Sequence, residues 1–589
     1  MAHKYSVEKN VQILLSLMKA HGITKVIASP GSTNVCLVHS LQNDSDFTVF
    51  SAVDERSAAY MACGMAAETG EPVALTCTEA TASRNYMPAL TEAFYRKLPI
   101  LAITATNEIT LVGQHHPQMI DRSVTPKDLV LKNLFVPILT SPIKEKGYTN
   151  LINDAMLELK RNGGGPVHIE YETRYCGDYT VEELPKVNVT KRISAFDKMP
   201  ELKPGKIALF VGSHPRWSDK LTHVVDEFCR KYDAIVLRDH INNYQGEFGV
   251  DYTILSSQLG VQFDCACFDT VIYMGSISSA YKKMFRMNNI WRVSPDGELR
   301  NMLHQYGGKL QYVFEMPEEE FFVRYANMKA DSGTGDFISE WRSLLDTLHN
   351  EIGELPFSNL WVAQHTAPKL PKNSRLFLAI ENTLRSWNYF VTDKSIEGYC
   401  NTGGFGIDGG VSSMVGASIV NPEKLFFMIT GDLAFFYDMN CLGNRHIGKN
   451  IRLLVINNGV GQQFRNPGYY AIRYLGEAVD DYVAAAGHFG NKSPQLLKHY
   501  AEDLGFEYLS ASTKEDFLDK VDTFCNPEIG NKSILFEIFT DTHDESAALE
   551  QITGLRESIK SKLKNYAFEI LGAEGLSLVK KLIGHKLKL

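Results

Sequence analysis

The chain has 589 residues, 44% of them hydrophobic and 22% charged, with a net charge of −9. That length allows about three or four domains, each with its own core. The acidic balance excludes a general nucleic-acid binder, which needs a basic surface.

The ten cysteines include no CxxC pair. Cys265 and Cys267 are the nearest two and lack the second pair of a structural zinc site, so reduced thiols in a cytoplasmic protein are expected. The amino terminus lacks the apolar core of a signal peptide, and no stretch reaches the roughly 18 apolar residues of a spanning helix. No membrane association is expected.

Residues 7–21 carry Val11, Leu14, Leu15 and Met18 at helical spacing, and Gly22 marks a stop. A strand is expected at 25–28, running into the turn Ser29-Pro30-Gly31-Ser32. Another, at 47–53, delivers Asp54-Glu55-Arg56 at its end. In the helix that follows, Ala58, Ala59, Ala62 and Gly64 offer a narrow packing face. Strands at 72–77 and 98–104 continue the alternation that makes 1–185 an α/β domain with a parallel sheet. The loop 111–122 carries Gln114, His115, His116 and Gln118; imidazole suits proton transfer near neutral pH, and a merely solvated loop is the alternative.

The stretch 186–203 is polar and aperiodic, as a linker would be. Strands at 207–212, 234–238 and 270–275, with helical patterns between them, make 203–330 a second α/β domain. Lys282 and Lys283 belong to its segment 275–285. A polar stretch at 330–336 precedes a third domain, 336–544. The lysine-rich tail 545–589, with Leu571, Leu576, Val579, Leu582 and Ile583 at helical spacing, is expected to be a packing or oligomerisation helix; contact with a membrane surface is the alternative.

Within the third domain, 425–430 is an apolar run that breaks at Gly431-Asp432. An amphipathic segment follows, then a second apolar run, 452–456, that ends in Asn457-Asn458. This is a parallel strand, helix, strand unit. Asp432 and Asn458 fall just past the carboxyl ends of their strands, where open α/β sheets bind ligands. A carboxylate, an amide oxygen and a main-chain carbonyl are hard donors that suit Mg²⁺ together with phosphate oxygens. An isolated Gly-Asp or Asn-Asn could equally be an ordinary turn.

The whole pattern, Gly-Asp, a helix-length segment, then Asn-Asn and Gly, resembles the cofactor motif of thiamine-diphosphate enzymes. The segments SPGS and DERSAAYMACGMAAETGEPVALTCTEATASRNYMPALTEAFYRKLPILAITA resemble the pyrimidine-binding domain of the menaquinone-pathway synthase family of thiamine-diphosphate carboligases. The resemblance implies three consecutive parallel-sheet α/β domains, pyrimidine-binding, central and diphosphate-binding, followed by the helical extension. It implies thiamine diphosphate and Mg²⁺ as cofactors, with Asp432, Asn458 and the Val460 carbonyl on the metal. Gly431, Leu433, Gly461, Gln462, Thr383, Gly406 and Ile407 would line the cofactor, Ile407 propping it in a bent form. Glu55 would be the activating carboxylate, favouring the imino tautomer of the pyrimidine. His115, His116 and Gln118 would lie on the substrate side. In this family the two cofactor halves are held by different subunits, which implies a homodimer or homotetramer.

The chain departs from the family where substrate carboxylates meet arginines. Thr33, Thr402 and Trp387 stand at those places. An unpaired buried carboxylate costs roughly 2–5 kcal/mol, so three such losses point to a different substrate. The expected activity is decarboxylation of a 2-oxo acid, with transfer of the acyl-anion equivalent to an acceptor (carboligase) or to a proton (decarboxylase). One alternative is the family's own reaction, with Arg385, Lys282 and Arg465 as relocated cations; another is a cofactor-binding paralogue without catalysis.

Overall fold

The computed structural model describes residues 4–259, 261–278, 285–301, 303, 307–329 and 334–556. Lys282, Lys283 and the greater part of the expected carboxyl-terminal extension lie outside these residues. Three parallel α/β domains follow one another along the chain. Two compact units emerge: the first runs to Pro200 and takes in Asn289–Pro317, and the second comprises Glu201–Asn288 and the chain from Glu318 on.

In the first unit, β1 (Lys25–Ala28), β2 (Thr48–Ser51), β3 (Val73–Cys77), β4 (Ile100–Thr106), β5 (Lys132–Val136) and β6 (Val167–Glu172) form a parallel sheet. Its order is β2-β1-β3-β4-β6-β5. Every residue of β3 and β4 is buried, as expected of a parallel sheet covered on both faces. One apolar layer includes Leu14, Leu37 and Ile169, the other Ala58, Ala62 and Leu75.

The middle domain's strands are divided between the units. β7 (Lys191–Ser194), β12 (Arg286–Val293, from Asn289 on) and β13 (Lys309–Glu315) belong to the first, with β13 pairing in parallel with both β12 and β7. β8 (Ile207–Val211), β9 (Ala234–Arg238), β10 (Gly249–Asp251) and β11 (Cys267–Met274) belong to the second. The second unit also holds β14 (Arg375–Leu378), β15 (Glu397–Tyr399), β16 (Phe426–Gly431), β17 (Ile451–Asn457), β18 (Glu507–Ala511) and β19 (Ile534–Phe539). Their order is β15-β14-β16-β17-β19-β18, all parallel.

Two local expectations are corrected. The stretch 186–203 contains a strand, β7, whose pairing with β13 supplies the order that its polar sequence hides. Gly64 is exposed, and a Cβ there would meet nothing, so the close packing belongs to Ala58, Ala59 and Ala62 alone. Asn382-Thr383-Leu384 opens a helix, Asn382–Trp387, and Glu381 turns into it with φ +68°. Among the described residues no helix is long and apolar enough to cross a membrane.

Candidate active site

The pyrimidine-side residues belong to the first unit. β2 hands the chain to Asp54, whose carboxylate accepts from the Ser57 N–H at 2.8 Å and caps the helix Glu55–Thr69. That bond holds the Asp54 carboxyl below its usual range. Capping is thus done by Asp54, and Glu55, half-buried, makes no hydrogen bond or ion pair among the described residues. An acid whose only task was to start the helix would be redundant there.

The loop after β4 exposes Gln114, His115, His116 and Gln118. His115 and Gln118 have left-handed backbones, φ +56° and +67°, and the His116 Nδ1 lies 3.2 Å from the Pro117 carbonyl.

The diphosphate-side residues belong to the second unit. β16 and β17 pair in register up to Gly431 opposite Ile456, so Asp432 and Asn458 each follow their strand's carboxyl end. Asp432 opens the helix Asp432–Asp438, is 4% exposed, and its Oδ2 accepts from the Gly459 N–H at 3.0 Å. Burial pushes its carboxyl up to about 7 against the pull of the Leu433 and Gly459 amides, with Glu537 adding to the rise. A buried carboxylate held by amides alone favours a cation beside it.

The neighbouring donors fit Mg²⁺. The Asn458 Oδ1 accepts only a long bond, 3.3 Å, from the Val460 N–H. The Val460 carbonyl accepts from the Gln462 N–H at 3.0 Å, and a carbonyl has a second lone pair. Gly459, at φ +74°, has no room for a side chain because a Cβ would run into the Asn491 amide. No cluster of three or more His, Cys, Asp or Glu among the described residues could hold a metal, so an ion here depends on amide and carbonyl oxygens.

Ile407 is half-buried and lines a small cavity with Leu378, Ile380, Met428 and Thr430, so it is not a core residue. Gly406 lines the same cavity; Gly431 ends β16, and a Cβ there would meet nothing. Thr383 is buried in the turn after Glu381, and Leu433 is half-buried. Gly461 donates to the Ala484 carbonyl at 2.6 Å. The Gln462 amide is turned toward the helix Thr542–Thr553, donating to Ser546 Oγ at 3.1 Å.

Glu545 carries no sequence motif, yet it is 4% exposed under this site. Its carboxylate accepts from Thr540 Oγ1 at 2.7 Å and from the Asn359 N–H at 3.0 Å, and is bonded by the Asn458 side chain. Burial pushes it up to about 7. It fixes Asn458 from behind.

Thr33, Thr402 and Trp387 are all buried. Thr33 is hydrogen-bonded to Thr78. Trp387 is fully enclosed, its Nε1 donating to Asn359 Oδ1 at 3.3 Å. Of the possible replacement cations, Arg385 is paired with Glu381, and Arg465 with Asp480 at 2.5 Å and Glu477 at 3.1 Å.

Residues 9–124 match the family described as thiamine pyrophosphate enzyme, N-terminal TPP binding domain. Matched segment and fold together define a thiamine-diphosphate enzyme, and Mg²⁺ is the usual partner metal of that class. The 2-succinyl-5-enolpyruvyl-6-hydroxy-3-cyclohexene-1-carboxylate synthase of Bacteroides fragilis is 30% identical over 572 residues, covering 93% of this chain and 98% of that one. The synthase of the same name from Phocaeicola vulgatus is 31% identical over 573 residues, with the same coverage. The chain belongs to this synthase family. Among solved structures, a thiamine diphosphate-dependent 4-hydroxybenzoylformate decarboxylase from Rhodococcus jostii is 15% identical, covers 90% of this chain and 99% of its own, and has a TM-score of 0.37.

Proposed function

We propose that the protein decarboxylates a 2-oxo acid and passes the acyl-anion equivalent to an acceptor carbonyl or alkene, or to a proton, on a substrate less anionic than its relatives' names describe. The observation that carries this reading is the burial of Thr33, Thr402 and Trp387 where guanidinium groups would meet carboxylates. Bound thiamine diphosphate supplies the electron sink for loss of CO₂. Glu55 would bond the pyrimidine, Asp432, Asn458 and the Val460 carbonyl would hold the diphosphate's Mg²⁺, and Ile407 would pack against the cofactor. His115, His116 and Gln118 orient the oxo acid or move its proton.

The identity to the synthases over 93% of the chain favours a second reading, the synthase reaction itself. Against it stand Arg385 and Arg465, already neutralised by acids in their own unit. Purified protein with thiamine diphosphate and Mg²⁺ should release CO₂ from at least one oxo acid other than 2-oxoglutarate, with any carboligation product identified by mass spectrometry. Consumption of isochorismate with 2-oxoglutarate in preference to all others would establish the second reading instead, and no CO₂ from any acid would sink both.

A further inference from the structure

The helix Thr542–Thr553 turns one face inward, at Glu545, Ala548 and Ile552. Ala548 and Ile552 are what a core-facing stripe at helical spacing calls for. Glu545 is a carboxylate in the same stripe, and burying it is costly unless its lone pairs are met. The helix does not need it as a cap. Asp541 does that, accepting from the His543 N–H at 2.7 Å and the Asp544 N–H at 3.4 Å.

Among the described residues the partners of the Glu545 carboxylate are all donors. They are the Thr540 hydroxyl, the Asn458 side chain and the N–H of Asn359, which opens the helix Asn359–Thr366; a negative charge is favoured at such a helix start. Thr540 and Asn359 both meet Oε1 and use its lone pairs, which leaves Oε2 for Asn458. A carboxylate only accepts, so the Nδ2 end of the Asn458 amide must face Glu545. Its Oδ1 is then left with the long bond from the Val460 N–H. The next residue of the helix acts on the other end of the same loop, the Ser546 Oγ accepting from Gln462 Nε2 at 3.1 Å. Two consecutive side chains of one helix thus hold residues 458 and 462.

We infer that Glu545 is a positioning residue for the proposed Mg²⁺: it locks the Asn458 amide with its nitrogen inward, so that its oxygen is the atom offered to the cation. The inference rests on the assignment of Asp432, Asn458 and the Val460 carbonyl as the metal ligands. Groups that orient a metal's ligands from behind commonly set its affinity by about 10- to 100-fold.

Glu545→Gln tests this with little change of shape. The Asn359 N–H still needs an acceptor, so the glutamine oxygen stays there and its nitrogen takes the place that faced Asn458. Two amide nitrogens cannot bond to each other, and Asn458 must turn its oxygen inward. Calorimetric titration of Mg²⁺ into the full-length protein with excess thiamine diphosphate should give a Kd about 10- to 100-fold above wild type. Glu545→Asp keeps the charge but withdraws it by one methylene, and should weaken Mg²⁺ in the same direction if the amide variant does not fold. Ile552→Val, on the same buried face, should lower the melting temperature and leave the Mg²⁺ affinity unchanged. A Kd within about twofold of wild type in the Glu545 variants, or an equal shift in Ile552→Val, overturns the inference. Wild-type Mg²⁺ affinity in Asp432→Ala would instead overturn the ligand assignment on which it rests.

Discussion

Asp54 and Glu55 are neighbours at the start of one helix, yet only Asp54 is bonded into it. Glu55 spends part of its surface on burial without a hydrogen bond or ion pair in return among the described residues, an arrangement that makes sense when a ligand supplies the partner. Replacing it should therefore separate function from folding. Glu55→Gln should lower kcat by about 100-fold or more, the usual scale for a positioned acid-base group, with melting temperature and far-UV circular dichroism unchanged. Activity within tenfold of wild type would remove Glu55 from the chemistry. Asp432 and Glu545 show the converse, carboxylates whose burial is costly unless something offsets it. For Glu545 the offset is a set of hydrogen bonds from Thr540, Asn359 and Asn458, and for Asp432 it is the Leu433 and Gly459 amides, joined in the proposed function by a bound cation.

In the first sheet a single imidazole ties three strands together. His168 on β6 has Nε2 2.7 Å from Thr104 Oγ1 on β4 and Nδ1 2.7 Å from Asn133 Oδ1 on β5. Burial, with Arg122 and Arg84 adding to it, lowers its pKa to about 3. The folded state therefore keeps His168 neutral down to that pH, whereas the unfolded chain takes up the proton near pH 6.5. Stability is unaffected above roughly pH 6.5 and falls as the pH drops toward about 3, by up to about 1.4 kcal/mol per pH unit. His168→Gln should flatten the decline in melting temperature between about pH 6.5 and pH 4.5; parallel curves for the two proteins would contradict this. Such a knot is invisible in sequence, where His168 is one residue in an apolar run. The runs themselves were legible: β1, β3, β8, β9, β16 and β17 announce themselves because strands buried on both faces must be apolar throughout. β7 did not, because a four-residue strand with no fully buried position needs no apolar pattern. The helix Asn382–Trp387 was hidden by the strained turn at Glu381. In the same way the places of Asp432 and Asn458 past their strands could be read from the spacing, while the burial of Glu545 could not, since only tertiary packing distinguishes a buried carboxylate from a solvated one.

On the scale of the whole molecule, the candidate residues fall in different compact units of the chain, Glu55 in one and Asp432 in the other. In the proposed assembly, a homodimer or homotetramer of the kind the family implies, each active site takes its pyrimidine-side carboxylate from one protomer and its metal ligands from the next. Glu55→Gln and Asp432→Ala then disable different halves of the same site. Either homodimer is inactive at both sites, but a mixed dimer has one site with both halves intact and one with both lost. Random pairing after co-expression at equal levels gives mixed dimers as about half of the population, each with one working site of two, so about a quarter of wild-type activity should return. Sites built within single protomers would leave every site carrying one defect or the other, and the co-expressed pair would stay as inactive as its parents. Tandem affinity tags that isolate the mixed species should raise the recovered activity to about half, because every dimer in that fraction then carries one complete site.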